Sequence, residues 1–361
     1  MSTDVLVIGG GQAGLAAAWQ LQRKGIAFRI VEASAHVGGS WRHYYDSLAL
    51  FSPAAYSSLP DMPFPGHADQ YPRRDEVVRY LEDYAHRFAI PVETGVAVTR
   101  VRQTGSGFIT DTAGGEQIEA RVVIAASGAF ARPYTPIVEG LEQFEGRCLH
   151  AADYRSPDGF DGQRIVVVGS ANSAIQIAAE LAERAQVTLA TRRPVRFAPQ
   201  RILGKDFHFW LKMTGLDRTR WLDDQSTPVL DTGRYRRALK SGRPDRRPMF
   251  SRVEAGGVTW SDGSTERVDT LLFATGYRPQ VPYLENLPVL DSDGQLRQRH
   301  GVSTTVPGLY FVGFPKQRNF ASATLRGVGP DAEIVIRQLR QRLQEQDRTS
   351  SGPLLAARGL E

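Results

Sequence analysis

The sequence contains one structural plan twice, and this repeat constrains the fold more than any other feature. Residues 4–33 (DVLVIGGGQAGLAAAWQLQRKGIAFRIVEA) and 164–193 (RIVVVGSANSAIQIAAELAERAQVTLATRR) each begin with a short apolar run that suits a buried parallel strand. A turn of small residues, an alanine-rich helical stretch and a second β-rich run follow in both copies. Each copy therefore predicts a βαβ unit on a parallel sheet, and the fold class is α/β.

Two further segments predict small antiparallel insertions and the points where the chain changes domain. Residues 92–124 and 253–277 both contain β-rich runs around glycine-rich turns. Each block ends on an apolar strand, which is followed by Ser127-Gly128 in the first block and by Thr275-Gly276 in the second. We interpret these two endings as the crossovers between two domains.

The crossovers predict that the first domain is discontinuous. We expect one domain of residues 1–157 plus 280–361, and a second of residues 158–279 with an insert at 196–250. The insert is the expected lid or substrate wall. Its aromatic residues either line an apolar pocket or form the core of a small helix, and both interpretations stay open; these residues are Phe207, Phe209 and Trp210.

The end of the chain predicts one more helix. Residues 331–346 have a helical pattern, with Pro330 near the first turn, where proline is tolerated. The tail from Arg348 onward is rich in small and polar residues, and we expect it to be loose.

The first glycine turn is a full G-x-G-x-x-G motif between a strand and a helix. Gly9 makes the tight turn, Gly11 allows the backbone to approach a pyrophosphate, and Gly14 lets helix and strand pack closely. N–H groups at the start of the helix then bind the phosphates. Glu32 ends the second strand, where a carboxylate accepts hydrogen bonds from ribose hydroxyls. The unit is predicted to bind a dinucleotide, and the fold is predicted to contain two Rossmann-like domains.

The second turn is a weaker version of the same motif. It reads GSANSA from Gly169 to Ala174, and alanine is permitted at its last position. Ala171, however, places a methyl group where the backbone usually meets the pyrophosphate. We expect lower affinity there, or a cofactor that lies slightly further out.

The two repeats differ in charge at one equivalent position. Glu32 lies 23 positions after Gly9, and Arg192 lies 23 positions after Gly169, with Arg193 beside it. A guanidinium can grip a ribose 2′-phosphate with two hydrogen bonds, whereas a carboxylate repels it. The first site is therefore predicted to take a nucleotide with a free 2′-hydroxyl, and the second to take NADPH. The alternative is a pair of surface arginines at a strand end.

Composition excludes several other classes of protein. The chain has 361 residues, of which 41% are hydrophobic and 23% charged, as is ordinary for a globular protein. Its one cysteine, Cys148, rules out an internal disulfide or a redox-active cysteine pair. No apolar stretch is long enough for a membrane span and no signal peptide is visible, so the cytoplasm is the expected location. The net charge is +5, but the sequence contains no nucleic-acid-binding motif. The sequence also predicts no metal site.

Several motifs together resemble the flavin-containing monooxygenases. Phe144, Gly146, His150 and Tyr154 match that family's FxGxxxHxxx(Y/F) fingerprint, which here also precedes the second turn. Three further family-like stretches extend the resemblance over about residues 4–340; they are Gly38-Gly39-Ser40-Trp41, Ala274-Thr275-Gly276-Tyr277 and Tyr310-Phe311-Val312-Gly313. The chain resembles the compact bacterial group B enzymes, and it is also similar to the Baeyer–Villiger and plant auxin-pathway monooxygenases.

The resemblance implies the cofactors and their contacts. FAD on the first unit would be contacted by Gly9, Gly11, Gly14, Glu32, Gly39, Ser40, Trp41 and Val98. Further expected cofactor contacts, near the crossover and the last strand, are Thr275, Gly276, Gly313 and Ser322. NADPH on the second unit would be contacted by Gly169, Asn172, Ser173, Arg192 and Arg193. His150 is expected to support the hinge between the domains rather than to take part in the chemistry.

The stretch beside the flavin departs from the family pattern. Many eukaryotic-type relatives carry an asparagine in a W-S-N-like segment, whereas this chain has Leu50-Phe51-Ser52-Pro53. Ser52 can still donate a hydrogen bond near the flavin N5 atom and is the candidate catalytic residue. Ser127 replaces a threonine in the first crossover motif, which is a mild change.

The resemblance implies an NAD(P)H-dependent monooxygenase that inserts one atom of dioxygen through a C4a-(hydro)peroxyflavin. The expected small substrate is a sulfur or nitrogen compound or a ketone, and the sequence leaves the choice among them open. It also leaves open whether NADH is used as well and whether the protein forms a homodimer. One alternative is an NADPH oxidase or reductase without oxygen insertion. Another is a non-catalytic FAD-bound redox sensor.

Overall fold

The computed structural model describes residues 2–130, 132–219, 228–278 and 280–351. In chain order, the helices are α1 (Gln12–Arg23), α2 (Arg74–Arg87), α3 (Asn172–Leu181), α4 (Phe207–Thr214), α5 (Arg234–Lys240) and α6 (Leu325–Ser351). Short 3-10 helices span Gly39–His43, Ala54–Tyr56, Leu141–Gln143, Leu216–Arg218 and Pro282–Leu284.

The strands of the described residues are mostly short. In chain order they are β1 (Ser2–Ile8), β2 (Phe28–Glu32), β3 (Val92–Thr94), β4 (Val98–Gln103), β5 (Phe108–Thr112), β6 (Gln117–Ala125), β7 (Arg132–Pro133), β8 (Arg147–His150), β9 (Arg164–Val168), β10 (Gln186–Thr191), β11 (Phe197–Pro199), β12 (Arg201–Ile202), β13 (Lys205–Asp206), β14 (Val229–Asp231), β15 (Asp245–Pro248), β16 (Arg252–Glu254), β17 (Gly257–Thr259), β18 (Thr265–Arg267), β19 (Thr270–Phe273), β20 (Tyr277–Arg278), β21 (Gln298–Arg299), β22 (Val302–Ser303) and β23 (Leu309–Phe311).

The first sheet contains the first repeat. Its order is β21-β22-β23-β6-β1-β2-β3, and the pairs from β23 through to β3 are parallel. β4 and β5 form an antiparallel hairpin that continues onto β6, so the insertion predicted at 92–124 is present. One face of the sheet packs on α1, α2 and α6, where Leu15, Val77 and Leu339 are fully buried. Each such side chain stabilises the fold by about 1.5–3 kcal/mol.

The second sheet contains the second repeat. Its order is β15-β10-β9-β19-β8, and all four pairs are parallel. A three-stranded antiparallel sheet of β16, β17 and β18 lies beside it, at the position of the second predicted insertion. The α/β fold class with parallel sheets in both repeats is therefore confirmed.

One strand lies on the other side of the predicted domain limit. β8 belongs to the second sheet because it pairs with β19, although it falls within the predicted range 1–157. Its partner is more than one hundred residues away in sequence, so local pattern alone did not show the pairing. The limits 1–157 plus 280–361 and 158–279 otherwise stay a prediction, and residues 352–361 lie outside the described part of the chain.

The last helix begins earlier than the sequence pattern indicated. α6 starts at Leu325 rather than at residue 331, so Pro330 lies inside it. The early turns contain Gly327 and Gly329, which hide the helical pattern but permit close packing: a Cβ on Gly327 would lie 1.8 Å from the Ala321 carbonyl oxygen, and one on Gly329 would lie 2.7 Å from Pro60. Pro330 cannot donate a backbone hydrogen bond inside the helix, and the packing of α6 against α1 offsets the resulting loss of stability. The helix also continues past Arg348 to Ser351, so the expected loose tail does not begin at Arg348.

Within the described ranges, none of the helices has the length and apolar character that crossing a membrane requires. The same part of the chain contains no group of three or more His, Cys, Asp or Glu side chains suited to a metal ion.

Candidate functional site

The first glycine turn leaves space at one glycine and none at another. Gly9 adopts φ +114°, a conformation that favours glycine. A Cβ on Gly14 would lie 1.8 Å from the carbonyl oxygen of Gly9, so α1 can approach β1 this closely only with glycine there. A Cβ on Gly11 would meet its nearest protein atom, the Cα of Gly39, at 3.7 Å. The open side of Gly11 is the cradle that a pyrophosphate requires.

The helices that follow the two turns both have uncapped N-termini. The N-cap residues are Gly11 for α1 and Ala171 for α3, and neither supplies a side-chain cap hydrogen bond. Neither helix has an acidic residue in its first turn. The first N–H groups and the positive end of each helix dipole are thus available to an anion, and both termini fit a phosphate group.

Glu32 holds the first turn together. Its side chain is 8% exposed. Oε2 accepts a hydrogen bond from the Gly10 N–H at 2.6 Å, and Oε1 accepts from the N–H and the hydroxyl of Ser34, both at 2.9 Å. A carboxylate offers about four lone-pair positions, so an acceptor position remains beside these three bonds. The predicted contact with a ribose hydroxyl stays a prediction, and the observed role of Glu32 is to fix the glycine turn.

The Gly38–Trp41 stretch folds directly over this turn. Gly38 and Gly39 have φ of +113° and +57°, and a Cβ on Gly39 would lie 3.1 Å from the Cα of Gly11. Trp41 Nε1 donates to Gln12 Oε1 at 3.0 Å, and Gln12 Nε2 donates to the Ala323 carbonyl at 2.6 Å. These bonds link the 3-10 helix, the start of α1 and the loop before α6.

Four more of the residues predicted to contact a cofactor belong to the first unit. Gly313 follows β23, and a Cβ there would lie 2.4 Å from the Cβ of Ala13 in α1. Ser322 is buried, and its hydroxyl accepts hydrogen bonds from the Arg318 and Asn319 N–H groups at 3.1 and 3.3 Å. Val98 is half-buried at the start of β4, and the Ser40 hydroxyl is 3.1 Å from that of Tyr44.

The second turn repeats the contacts of the first. The Gly9 N–H donates to Val31 O at 2.8 Å, and the Gly169 N–H donates to Ala190 O at 3.1 Å. A Cβ on Gly9 would lie 2.6 Å from the Ala126 carbonyl oxygen, and one on Gly169 would lie 2.4 Å from that of Ala274. The sequence repeat is therefore also a repeat of tertiary contacts. The methyl group of Ala171 is exposed at the start of α3.

The two arginines after β10 are available to a ligand. Arg192 and Arg193 are both exposed, and across the described ranges neither makes a hydrogen bond or an ion pair with a protein group. Asn172 and Ser173 are half-buried in the first turn of α3. The hydroxyl of Tyr45, from the first part of the chain, donates a hydrogen bond to Gln176 Oε1 at 3.0 Å. Burial raises the pKa of Tyr45, so it stays protonated.

The two crossovers are joined to each other. β7 and β20 pair as antiparallel strands, with Tyr277 opposite Pro133. The carbonyl of Gly276 accepts hydrogen bonds from the Tyr134 N–H at 3.0 Å and from His150 Nε2 at 3.1 Å. The Thr275 hydroxyl donates to the Tyr134 carbonyl. Both passages between the sheets thus form one double-stranded link.

A chain of ring contacts extends from the first turn to this link. Trp41 contacts Tyr44 at 5.5 Å between ring centres, and Tyr44 contacts Phe130 at 6.3 Å. Phe130 contacts Tyr277 at 5.4 Å, and Tyr277 contacts His150 at 5.1 Å. All four pairs are close to perpendicular, the edge-to-face arrangement that aromatic rings prefer.

Ser52 lies in a tightly packed turn. Its hydroxyl is 2.9 Å from that of Ser57, which is fully buried and also donates toward the carbonyls of Ser52 and Pro53. The turn packs beside the start of α6, where Pro60 contacts Gly329, and α6 lies against α1. The Ser52 turn is therefore packed on the side of the first unit that contains α6.

The insert contains a small helix, α4, whose buried residues are not the three aromatic ones. The aromatic residues Phe207, Phe209 and Trp210 are only half-buried on α4. The buried residues of α4 are instead His208 and Leu211. The part of the insert at 220–227 lies outside the described residues.

Comparison with known proteins agrees with this geometry. The profile of the pyridine nucleotide-disulphide oxidoreductase family matches residues 6–313. The chain belongs to that family.

Individual relatives indicate which enzymes of that family the chain resembles. A flavin-containing monooxygenase from Stenotrophomonas maltophilia has a similar structure, with a TM-score of 0.85 and 34% identity over 95% of this chain and 99% of that one. The indole-3-pyruvate monooxygenase YUCCA1 of Oryza sativa is 30% identical over 96% of this chain and 93% of its own length. An uncharacterized CzcO-like oxidoreductase of Geobacillus kaustophilus is 34% identical over 93% and 98%. The chain belongs to the flavin-dependent monooxygenases within this family.

These findings confirm four predictions from the sequence. They are the family resemblance, the α/β fold with two units, the enzyme class and the cofactors. The flavin monooxygenases share this fold and use a flavin and a nicotinamide nucleotide. The individual contact residues stay predictions, and the two uncapped helix ends with the Gly11 cradle fit the phosphates of such cofactors.

Reasoning from the sequence missed several residues that build the site. Gln12 and Tyr45 make the contacts described above, and Asp206 caps α4 by accepting the His208 N–H at 2.8 Å. An aspartate directly before an aromatic helical stretch is an N-cap signal, so Asp206 was detectable. No local signal indicates the partners of Gln12 or Tyr45, because those partners are far away in the sequence.

Proposed function

We propose that this protein binds FAD on its first βαβ unit and NADPH on its second, and inserts one atom of dioxygen into a small organic substrate. The observation that carries the proposal is the paired geometry of the two turns. Both turns end in uncapped helix N-termini, and one double-stranded link joins the two sheets behind them. When bound, the flavin supplies the redox chemistry by accepting hydride and activating dioxygen.

The residues of the first unit are proposed to orient FAD. Gly11 and Gly39 approach each other closely and leave no side chain in the way of the pyrophosphate. Glu32 fixes the turn and keeps an acceptor for the ribose hydroxyls. Trp41 and Gln12 tie the loop over the turn to the loop before α6, which excludes water from the bound cofactor.

The residues of the second unit are proposed to select NADPH. Arg192 and Arg193 are exposed cations directly after β10, and Arg192 is at the position equivalent to Glu32 in the first unit. Because their guanidinium groups make no ion pair within the described residues, they are free to bind a 2′-phosphate. NADH lacks that phosphate and is expected to be the weaker coenzyme.

Ser52 is proposed to act beside the flavin. Its Oγ lies 2.9 Å from the Oγ of Ser57, and this contact holds the side chain in one position. His150 is assigned to the link between the units and not to the chemistry. Its Nε2–H is already donated to Gly276, and burial lowers the pKa of its ring.

The proposed domain division follows the link rather than residue 157. The first unit then comprises the first sheet with α1, α2 and α6, and the second comprises everything between β7 and β20. This division places β8 in the unit whose sheet it joins.

Anaerobic reduction followed by product analysis tests the function. The purified protein is reduced with NADPH without oxygen, and air is then admitted with a thioether, a cyclic ketone or a 2-oxo acid, the last because of the name of the Oryza sativa relative. The proposal expects yellow protein with non-covalent FAD, bleaching by NADPH, and an oxygenated product from at least one substrate class. FMN in place of FAD, or peroxide alone with every substrate, would refute it.

A flavin-dependent NADPH oxidase or reductase without oxygen insertion is the second candidate. It uses the same two turns and predicts the same bleaching, but with peroxide as the sole oxygen product. The exposed apolar residues of the insert favour the monooxygenase, since Leu203 is 86% and Met213 is 59% exposed. Contact with an organic substrate is one use for such a surface.

A further inference from the structure

A buried polar cluster joins the insert to the segment that carries Ser52. Its centre is the carboxylate of Asp206, which is 6% exposed. Oδ1 accepts hydrogen bonds from the backbone N–H and the Nδ1–H of His208, both at 2.8 Å. Oδ2 accepts from the Tyr71 hydroxyl at 2.8 Å and from Gln200 Nε2 at 2.9 Å. Burial alone would raise the pKa of Asp206, but these hydrogen bonds outweigh it and lower the pKa, so the carboxylate stays ionised.

Gln200 extends the cluster to the peptide group of Ser52. Its side chain is 4% exposed, and Nε2 donates a second hydrogen bond to the carbonyl of Phe51 at 3.0 Å. That carbonyl and the N–H of Ser52 belong to the same peptide group. Because the peptide bond is planar, fixing the direction of the Phe51 carbonyl also fixes the direction of the Ser52 N–H.

Stacked rings support this contact. The ring of His208 lies 6.0 Å from that of Phe51 at 26° and 6.0 Å from that of Tyr56 at 29°. Burial lowers the pKa of His208, despite the opposing effect of Asp206, so the ring is neutral at pH 7 and packs as an aromatic group. The insert therefore contacts both the backbone and the side chains of the Ser52 turn.

The cluster connects the two nucleotide-binding units. Gln200 and Asp206 lie on the insert, which leaves the second sheet after β10 and is tied at its base by the pairing of β11 with β14. Phe51, Tyr56 and Tyr71 lie between β2 and α2, on the side of the first unit. Any rotation of one unit against the other must break these bonds or move the Ser52 turn with the insert.

We propose that Asp206 and Gln200 are positioning residues, which set the orientation of the Phe51–Ser52 peptide and couple it to the docking of the insert. This inference rests on the proposed function, because it takes Ser52 to lie beside the flavin. Asp206 acts by holding the Gln200 amide, and Gln200 acts by holding the peptide. Loss of either leaves both nucleotide sites intact but frees the Ser52 turn.

Replacement of Gln200 tests the coupling. Gln200→Met keeps the shape of the side chain and removes the donor. In the holoprotein we expect the amides of Ala54, Ala55 and Ser57 to exchange hydrogen about fivefold faster, because the turn loses the hydrogen bond to the Phe51 carbonyl, worth ~1 kcal/mol. Flavin content and the rate of reduction by NADPH should stay within about twofold, while the peroxide released per NADPH should rise severalfold. Tyr71→Phe, which removes one bond to Asp206 only, should give a smaller change in the same direction.

Gln22→Met is the matched control, since Gln22 Nε2 also donates to a backbone carbonyl, that of Ala89, on an exposed surface far from the insert. Gln22→Met should change neither the hydrogen exchange of the Ser52 turn nor the peroxide released per NADPH. Unchanged exchange in Gln200→Met would overturn the proposal, and so would faster exchange with an unchanged peroxide yield. A wild-type protein without oxygenated product would instead refute the proposed function, and the exchange comparison would still decide whether the insert orders the Ser52 turn.

Discussion

His150 Nε2 donates a hydrogen bond to the carbonyl oxygen of Gly276, with 3.1 Å between the two atoms. His150 Nδ1 accepts the N–H of Ala152 at 3.0 Å, so the proton is placed on Nε2 and both ring nitrogens are used. The histidine ends a strand of the second sheet, and Gly276 is the second crossover. The fingerprint histidine therefore acts as part of the link between the units.

This arrangement predicts a dependence of stability on pH. Burial lowers the pKa of His150 below its ordinary value of 6.5, and protonation of Nδ1 would break the bond from Ala152. Between the lowered pKa and 6.5 the unfolded chain binds more protons than the native protein. The neutral His150 ring therefore contributes its full share of the folding stability above pH 6.5, and this share is lost as the pH falls below 6.5. His208, whose pKa is also lowered by burial, acts in the same direction.

We expect the melting temperature of the holoprotein to fall as the pH is lowered below the ordinary histidine pKa of 6.5. His150→Gln, which cannot titrate, should make the fall less steep, and exposed His36 provides a control through His36→Gln. Differential scanning calorimetry at several pH values checks this. Identical slopes for wild type and His150→Gln would show that His150 does not contribute.

The two glycines of the first turn should respond differently to the same small substitution. Gly11→Ala adds a methyl group at ordinary contact distance from the protein, so the fold should be retained while FAD affinity falls by more than about tenfold, ~1.4 kcal/mol. Gly14→Ala places a methyl group 1.8 Å from a carbonyl oxygen and should destabilise the protein by about 3 kcal/mol or more. The ratio of flavin to protein absorbance and the melting temperature of the apoprotein separate the two effects. Normal flavin content in Gly11→Ala would contradict the assignment of the cradle.

Glu32 should matter to the fold even without cofactor. Glu32→Ala leaves the Gly10 and Ser34 donors without their acceptor, and each buried unpaired donor costs about 1–3 kcal/mol. Urea unfolding of the apoprotein should show this loss, with a smaller one for Glu32→Gln, which keeps one oxygen. An apoprotein of unchanged stability would mean that Glu32 serves the ligand alone.

Coenzyme preference should depend on one arginine. A charge-assisted hydrogen bond contributes about 1.5–3 kcal/mol, which corresponds to roughly one to two orders of magnitude in affinity. Arg192→Ala should therefore lower kcat/KM for NADPH by that factor and leave the value for NADH nearly unchanged. Arg193→Ala should have a smaller effect. Steady-state kinetics with both coenzymes check this, and equal losses for NADPH and NADH would show that Arg192 is structural.

Contiguous features of the site were predictable from the sequence. A strand, a glycine turn and a helix follow one another directly in each repeat, so their residue types and spacing indicate both nucleotide-binding units. The opposite charges of Glu32 and Arg192 could be compared because the repeats align without a gap. The resemblance to the flavin-containing monooxygenases implied a supporting role for His150 between the domains, and the structure shows its hydrogen bond to the second crossover.

Contacts between distant segments were decided only by the tertiary structure. β8 joined the second sheet through β19, and α6 began at Leu325 because packing against Ala321 and Pro60 stabilised turns rich in glycine. The cluster at Asp206 brings Tyr71 and Phe51 to the insert from more than one hundred residues away. Hydrogen bonds act over about 3 Å, so such a cluster depends on how the units pack and leaves no periodic pattern in the chain. The sequence therefore specified which cofactors the protein can hold, and the packing of the units determined which residues hold the Ser52 turn in place.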